Sequence, residues 1–332
     1  MDNKNNKNFK GVFVFCEQTN GEIHKVSYEL LNKGRELCDV LDEPLIAGVL
    51  GPSGIDVSEL TYRGADKVFY LQNDEFKLPN VMAYKDALLD LLDELSPKIC
   101  LFGATNFGRS LAPRIAIKLD TGLTADCTGL EIDEEDKTLV QIRPAFSENI
   151  LAHIKTKTYP QIATVRYKEF AEAPRKTDRE GEVIEKKYEF KSEFPLKILE
   201  KLREQSIDIT EASVIIAGGR GLEGESDFEI LKELAELLGG EVGASRDVVE
   251  EGYISKEHQV GYSGNRVKPR IYIACGISGA PQHIAGMQDS EVIIAINDDP
   301  SSPIFEIADY GIVADWRQVV QSLTKNIKAA VS

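Results

Sequence analysis

The chain has 332 residues, of which 42% are hydrophobic, so it is long enough for two domains with a core each. Aspartate and glutamate outnumber lysine and arginine by 55 to 39, which gives a formal net charge of −16. A charge of this sign opposes non-specific attraction to nucleic acid and to anionic membrane surfaces, and neither is an expected partner.

The N-terminus and the cysteines indicate a protein of a reducing compartment. The first ten residues are polar and predict no signal peptide, and no apolar run approaches the ~20 residues of a membrane span. The four histidines are too scattered to propose a metal site, and no iron–sulfur spacing is present. We expect a cytoplasmic protein whose cysteines are reduced core residues rather than metal ligands: Cys16, Cys38, Cys100, Cys127 and Cys275.

Apolar runs and helical periodicity alternate over the first part of the chain. Residues 11–16 predict a buried strand and residues 24–41 a helix. The alternation continues through residues 45–50, 67–71, 81–95 and 99–103. Such a series predicts a parallel α/β sheet of the nucleotide-binding type, although it does not show that a nucleotide binds.

Arg109 lies in the first turn of the helix predicted after residues 99–103. It is a candidate phosphate ligand, but a solvated arginine on the helix surface explains it more simply. The sequence leaves its role open, and the role of Arg143 as well.

Short β-rich segments separated by turn residues come next. They predict antiparallel strands added to the parallel sheet, at residues 128–132, 138–144, 150–156 and 161–165. Alternating charges over residues 171–193 leave little to bury and predict an exposed connector, followed by an amphipathic helix around residues 196–202. We therefore predict an N-terminal domain of residues 1–194 and a C-terminal domain of residues 195–332.

Residues 271–297 predict a strand, a glycine-rich crossover and a second strand. Two β-branched runs, at residues 271–274 and 292–296, have the pattern of buried parallel strands. Small residues in the crossover permit close backbone approach, and free N–H groups at the start of the next helix favour an anion or a carbonyl oxygen. In an open parallel sheet, ligands bind at this end of the strands. The candidate positions are Gly276, Ser278, Gly279, Gln282 and His283.

Gly219, Gly221 and Gly224 spell G-x-G-x-x-G between a predicted strand and a predicted helix, and Glu241 follows about twenty residues on. Taken alone, this triplet predicts an NAD-dependent oxidoreductase. The same run mimics a Walker A loop, but Glu225 stands where the phosphate-binding lysine belongs, which disfavours an ATPase.

Polar turns after consecutive predicted strands favour a flavin dinucleotide over the NAD that the glycine triplet alone predicts. They read GGRGL, ASR, QVGYSG, GISGAPQH, IND and VAD. FAD needs phosphate, ribose and ring contacts from several strand ends, and these turns supply separate groups for each. The alternative, ordinary tight turns of a doubly wound sheet, explains the glycines but not the side chains that recur there: Arg220, Arg246, Ser263, Gln282, His283, Asn297 and Asp315.

The run GISGAPQHIAGM, followed by AIN, resembles the signature of the alpha subunit of electron transfer flavoproteins. The resemblance continues through VIIAGGRGL, GASR and QVGYSG upstream and DYGIVAD downstream. It implies an N-terminal α/β domain that contacts a partner subunit, and a flavodoxin-like, doubly wound C-terminal domain that binds FAD. TGLTADCT and RPAFSENILA resemble the branch found in anaerobes and in nitrogen-fixation electron carriers.

The resemblance also implies roles for single residues. Ser245 and Arg246 match positions beside the flavin ring and its attached chain, Ser263 a hydroxyl near N5, and His283 a donor to the pyrimidine carbonyl. Positions that hold the rest of FAD match Arg220, Gly279, Gln282, Asn297 and Asp315. The remaining expected contacts are Gln259, Val260, Gly261, Tyr262, Gly276, Ser278, Ala280, Pro281 and Trp316.

Two positions depart from the common pattern of the family. Tyr262 and Ser263 stand where most relatives read Gln-Thr, which keeps a hydroxyl near N5 but adds an aromatic ring. Pro281 replaces Ile or Val, which is compatible with the first turn of a helix because the missing N–H would be unpaired there.

By the same resemblance, the chain pairs with a beta subunit and carries electrons on FAD rather than transforming a metabolite. The expected redox partner is an acyl-CoA dehydrogenase. In the anaerobic branch, NADH delivers electrons through a second FAD on the beta subunit, and the electrons bifurcate towards ferredoxin or flavodoxin. The rival function is an NAD-dependent oxidoreductase that uses the glycine triplet.

Overall fold

The computed structural model describes residues 8–145, 147–191 and 208–331, without the side chains of residues 147–149 and 331. The chain divides into two compact units. The predicted domain boundary at residues 194 and 195 and the predicted helix around residues 196–202 lie outside the described residues. Within the described ranges, no helix is both long enough and apolar enough to cross a membrane.

The first unit alternates strands and helices, as predicted for its N-terminal part. Its helices are α1 (Val26–Leu41), α2 (Ser58–Tyr62), α3 (Val81–Leu95) and α4 (Asn106–Leu119). Its strands are β1 (Val12–Cys16), β2 (Gln18–Thr19), β3 (Glu22–Ile23), β4 (Leu45–Gly51), β5 (Lys67–Gln72), β6 (Ile99–Gly103), β7 (Leu123–Cys127), β8 (Gly129–Ile132), β9 (Leu139–Ala145), β10 (Ser147–Lys155), β11 (Gln161–Val165) and β12 (Glu182–Lys187).

A parallel sheet forms the centre of this unit, with seven strands among the described residues in the order β12-β5-β4-β1-β6-β11-β7. The central strand β1, VFVFC, is buried along its whole length. Val12 and Val14 lie in an apolar cluster with α1, whereas Phe13 and Phe15 lie in another with α3 and α4. Because side chains alternate between the faces of a strand, a run without polar residues needs cover on both faces.

The prediction of added antiparallel strands is correct for three segments and wrong for the fourth. Strands β8, β9 and β10 form a separate antiparallel sheet. Residues 161–165 instead form β11, which pairs in parallel with β6 and β7. The side chain of Gln161 accepts a hydrogen bond from the Leu139 N–H and donates one to the Thr156 carbonyl, which allows this polar residue to be fully buried.

The predicted exposed connector is also wrong over its last part. Residues 182–187 form β12, which pairs in parallel with β5 at the edge of the sheet. The next residues add apolar contacts, because Tyr188 and Phe190 pack on Phe76. Charged side chains on an edge strand face solvent, so the composition of this segment concealed a strand.

The second unit is a doubly wound sheet of flavodoxin type, as the resemblance implied. Its five strands in the described part of the chain are all parallel, in the order 2-1-3-4-5 that flavodoxin has. The strands are β13 (Val214–Gly218), β14 (Glu241–Ala244), β15 (Ile271–Cys275), β16 (Val292–Asn297) and β17 (Tyr310–Val313). The helices are α5 (Glu225–Leu237), α6 (Arg246–Glu250), α7 (Pro281–Ile284) and α8 (Trp316–Val331).

All five cysteines are buried, as predicted for core residues, and none is paired in a disulfide. Burial raises the pKa of each thiol, that of Cys275 to about 12. A thiol that remains protonated is a poor metal ligand and a poor nucleophile.

Candidate functional site

The strand order of the second unit reverses between β13 and β15, where a doubly wound sheet opens a crevice at the carboxyl ends of its strands. The turns that follow these strands are joined backbone to backbone. Gly219 N–H donates to the Cys275 carbonyl at 2.9 Å, and Gly221 N–H to the Gly276 carbonyl at 3.0 Å. A Cβ added at Gly221 would lie 2.8 Å from the Gly276 Cα, so this approach needs glycine on both turns.

The third glycine of the triplet does not have the role that an NAD-binding fingerprint gives it. That role is close packing of the helix on the strand, whereas a Cβ added at Gly224 would meet nothing within 4 Å. Its φ of 175° is extended backbone that any residue adopts. Gly219 and Gly221 serve the contact with the second turn, so the triplet does not favour the rival function.

Two arginines and a serine lie on the turns after β13 and β14. Arg220 is exposed and its Nη1 is 3.8 Å from Oδ2 of Asp247, while Nε of Arg246 donates to Glu250 at 2.7 Å. The hydroxyl of Ser245 is buried and has no hydrogen-bond partner among the described residues. These groups supply positive charge and an unpaired hydroxyl at the mouth of the crevice.

The QVGYSG turn does not follow a strand, contrary to the prediction. It follows a short 3-10 helix at Lys256–His258 and is attached to β14, because Val260 N–H donates to the Ala244 carbonyl at 2.9 Å. Tyr262 N–H donates to the Gln282 carbonyl at 2.7 Å, which ties this loop to the turn after β15. Ser263 Oγ accepts a hydrogen bond from the Gln259 amide at 3.1 Å, and its side chain is exposed.

The turn after β15 presents both backbone and side chains. Gly276 and Gly279 have φ values of +61° and +90°, which L-residues rarely adopt. Helix α7 then begins at Pro281, as the missing N–H of proline predicted. Four residues of the turn point outward to solvent, where a ligand can reach them: Ser278, Ala280, Pro281 and Gln282.

His283, on α7, is a buried polar residue of the site. Its Nε2 lies 3.0 Å from the hydroxyl of Tyr272, and its Nδ1 has no hydrogen-bond partner among the described residues. Burial lowers the pKa of His283 to about 4, and the interaction of the ring with the backbone of Val260 partly opposes this shift. The imidazole is therefore neutral near pH 7.

Three predicted residues also have visible structural partners. The amide of Asn297 donates to the Ile277 carbonyl at 3.0 Å, and Asp315 accepts from the Gln318 N–H at 3.0 Å. The indole of Trp316 donates to the Gly221 carbonyl at 2.9 Å. These bonds support the two central turns and the start of α8, so the three residues hold the crevice in shape whatever else they contact.

An open cleft of about 810 Å³ lies at one side of the site and is of the size that ligands occupy. Arg246, Gln259 and Ser263 line it, whereas His283 and Asn297 do not. Glu225, at the start of α5, also lines the cleft. Further wall residues carry no motif and were not predicted, among them Glu250, Tyr253, Ser255 and Lys256. They reach the cleft because α6 and the 3-10 helix after it fold alongside the predicted turns.

Comparison with known proteins decides the family. The family model described as "Electron transfer flavoprotein domain" matches residues 12–190, and the one described as "Electron transfer flavoprotein FAD-binding domain" matches residues 208–288. The protein named "Electron transfer flavoprotein subunit alpha" of Clostridium acetobutylicum is 45% identical, over 98% of this chain and 99% of that protein. The chain belongs to the electron transfer flavoprotein alpha-subunit family. The predicted recognition is thereby confirmed.

Other family members are similar over nearly the whole chain. "Protein FixB" of Clostridium saccharobutylicum is 46% identical, over 98% of both chains. "Lactate dehydrogenase (NAD(+),ferredoxin) subunit LctC" of Acetobacterium woodii is 43% identical, over 96% of this chain and 77% of that protein. The match to the FAD-binding description ends at residue 288, before Asn297, Asp315 and Trp316.

The first unit of this electron transfer flavoprotein chain has its own switch point, between β1 and β6. There the hydroxyl of Thr105 donates to the carboxylate of Glu17 at 2.6 Å. Arg109 lies beyond it on α4, where its Nε donates to Asp126 at 3.0 Å and its side chain is 51% exposed, and Arg143 donates to the Pro144 carbonyl. A carboxylate at the switch point opposes a phosphate, and the arginine nearest to it is already paired.

Proposed function

We propose that this chain is the alpha subunit of a heterodimeric electron transfer flavoprotein and binds one FAD in its second unit. The observation that carries the proposal is the flavodoxin-type switch point, where two buried polar atoms, Ser245 Oγ and His283 Nδ1, have no partner in the described chain. Buried polar groups in proteins are almost always paired. Four more such atoms occur elsewhere in the described chain, so the two in the site support a ligand through their place at the switch point, beside the glycine turns.

The residues present fit a flavin dinucleotide. The glycines at the two central turns allow a diphosphate to approach the backbone, and Arg220 adds positive charge beside them. When bound, FAD supplies a ring that accepts and releases electrons singly or in pairs. Arg246 and His283 then place a fixed cation and a neutral donor where negative charge develops on reduction.

The proposed partners rest on the family resemblance of the sequence rather than on the geometry. We propose a beta subunit as the permanent partner and an acyl-CoA dehydrogenase as the redox partner, with NADH as the source of electrons. The names of the relatives, FixB and a subunit of an NAD(+)- and ferredoxin-linked dehydrogenase, support bifurcation towards ferredoxin or flavodoxin. The five free thiols support a reducing compartment such as the cytoplasm.

The test is a flavin count on the full chain co-expressed with the beta subunit. Flavin released by denaturation is measured by absorbance for three proteins: the wild type, Ser278→Glu and Ser322→Glu. Ser278 is exposed on the turn after β15, where a carboxylate repels a diphosphate, and Ser322 is exposed on α8. We expect Ser278→Glu to lose one flavin per heterodimer and Ser322→Glu to lose none. Equal flavin content in all three would refute the proposed site.

A further inference from the structure

Tyr272 lies in the interior of β15 and directs its hydroxyl at His283. Its side chain is 0% exposed, and its hydroxyl oxygen is 3.0 Å from Nε2 of the imidazole. The phenol ring packs in an apolar cluster that contains Ile215, Ala217 and Ile293. Among the described residues, His283 is the partner that this hydroxyl has for a hydrogen bond.

The direction of this hydrogen bond follows from the surroundings. Burial raises the pKa of Tyr272 well above its ordinary value, so the hydroxyl keeps its proton. A buried O–H that finds no acceptor is costly, and the acceptor within reach is Nε2. A neutral imidazole that accepts at Nε2 carries its own proton on Nδ1.

The Nδ1 side of the ring is the side left unpaired. Nδ1 is buried and has no hydrogen-bond partner in the described chain, and His283 as a whole is 6% exposed. An N–H at this atom offers a donor to a ligand carbonyl. A bare nitrogen at the same atom would repel the same oxygen.

We propose that Tyr272 is a positioning residue, which holds His283 in the Nδ1–H tautomer, the form that can donate a hydrogen bond from Nδ1 to a flavin carbonyl. The naming of flavin as the ligand rests on the proposed function, whereas the tautomer does not. Tyr272 touches no reacting atom itself. It acts through the imidazole, in the way that a carboxylate or carbonyl fixes the tautomer of a histidine in other sites.

The tautomer is measured directly by nitrogen NMR of the full chain with its beta subunit, labelled with ¹⁵N only in histidine. The chain has four histidines, and His283→Gln identifies the resonances to be followed. In the wild type we expect a protonated Nδ1 and an unprotonated, hydrogen-bonded Nε2. In Tyr272→Phe, which removes only the hydroxyl, we expect this preference to be lost or reversed.

The effect on the flavin is measured as its reduction potential in the same proteins. We expect a shift to a more negative potential in Tyr272→Phe, because a weaker donor stabilises the reduced ring less. Tyr84→Phe is the matched control: Tyr84 is also a buried, hydrogen-bonded tyrosine, but it lies in the first unit. Removal of the Tyr84 hydroxyl should leave the reduction potential of the flavin unchanged.

The NMR spectrum, the reduction potential and the flavin content test separate parts of the proposal. A wild-type imidazole protonated on Nε2 overturns the proposal, even if Tyr272→Phe does not fold. An unchanged potential in a folded, flavin-loaded Tyr272→Phe overturns the positioning role. If the complex binds no flavin in the second unit, the proposed function fails, while the NMR result still confirms or overturns the tautomer.

Discussion

Arg246 and His283 differ in their surroundings, although we propose both as flavin contacts. The side chain of Arg246 is 64% exposed and forms an ion pair with Glu250 at 2.7 Å. His283 is buried and neutral near pH 7. The positive charge available to a reduced flavin therefore comes from the arginine, and the histidine contributes a hydrogen bond.

We predict that Arg246→Ala lowers the potential at which the flavin takes its first electron. Loss of a charge-assisted contact of about 1.5 kcal/mol corresponds to a shift of roughly 60 mV for one electron. The measurement is a redox titration of the complex. Arg246→Lys keeps the charge and should shift the potential less. An unshifted potential in a flavin-loaded Arg246→Ala protein would mean that Arg246 does not reach the ring.

We predict that His283 makes the flavin-free protein sensitive to mild acid. Its pKa is about 4 in the folded state against an ordinary value of 6.5, so the unfolded chain binds the extra proton between these values. Stability therefore falls as the pH drops from 6.5 towards 4, at about 1.4 kcal/mol for each pKa unit at most. Melting temperatures at pH 7 and pH 5 test this: His283→Gln should lose less than the wild type. An equal loss would contradict it.

Glu29 should give the opposite dependence on pH. It is buried and accepts the backbone N–H of Lys168, yet desolvation raises its pKa to about 7. The folded state therefore binds the extra proton between pH 4.5 and 7, and this contribution to stability is lost as the pH rises through that range. Glu29→Gln should flatten the change in melting temperature between pH 5 and pH 8, whereas Glu36→Gln, on the exposed side of α1, should not.

At the scale of elements, the start of α8 is attached to the glycine turn after β13. The Trp316 indole donates to the Gly221 carbonyl, and Arg317 donates to the buried carboxylate of Asp227 at 2.6 Å. Asp227 also accepts the Glu223 N–H at 2.8 Å. These bonds fix a turn whose glycines would otherwise leave it free to move.

We predict that Trp316→Phe weakens flavin binding more than it weakens the fold. It removes one hydrogen bond, worth about 1 kcal/mol, from the carbonyl of a turn that the flavin must meet. The flavin dissociation constant and the melting temperature are measured together. Lys328→Ala is the control, since it breaks the exposed ion pair with Glu233 between α8 and α5 and should change neither by much. A loss of affinity equal to that of the control would refute the role of Trp316.

At the scale of the whole molecule, two parallel sheets each have a switch point, but the side chains there have opposite charge. The first unit has Glu17 at this place and the second has Arg220 and Arg246. The same architecture therefore favours an anionic cofactor in one unit and disfavours it in the other. Architecture alone does not assign the ligand.

We predict that Thr105→Val destabilises the first unit and leaves the flavin content unchanged. Thr105 caps α4 through the Gly108 N–H and donates to Glu17, so its loss costs about 1 kcal/mol or more. Melting temperature and flavin count on the purified complex separate the two effects. Thr121→Val is the control for the flavin count, because the Thr121 hydroxyl bonds with Thr158 and the Pro160 carbonyl rather than with Glu17. Loss of flavin from Thr105→Val alone would assign a cofactor to the first unit.

The sequence by itself determined the parallel α/β class, the flavodoxin-like second unit and the turns that carry the site. These features are local: an apolar run such as Val12–Cys16 needs burial on both faces wherever it lies, and Gly276 and Pro281 suit one backbone conformation. A sequence motif is also enough to show a family resemblance, because the motif is defined by the order of residues along the chain.

Only the tertiary structure decided which distant segments meet. β11 has the composition of an added strand, and its place in the parallel sheet depends on pairing with β6. β12 has the composition of a connector, and its place depends on pairing with β5, which lies far from it along the chain. In the sequence, Tyr272 cannot be told from any other core tyrosine. In the folded chain, α7 brings His283 within hydrogen-bond distance of its hydroxyl. Hydrogen-bond partners are chosen by distance in space, and periodicity along the sequence does not encode that distance.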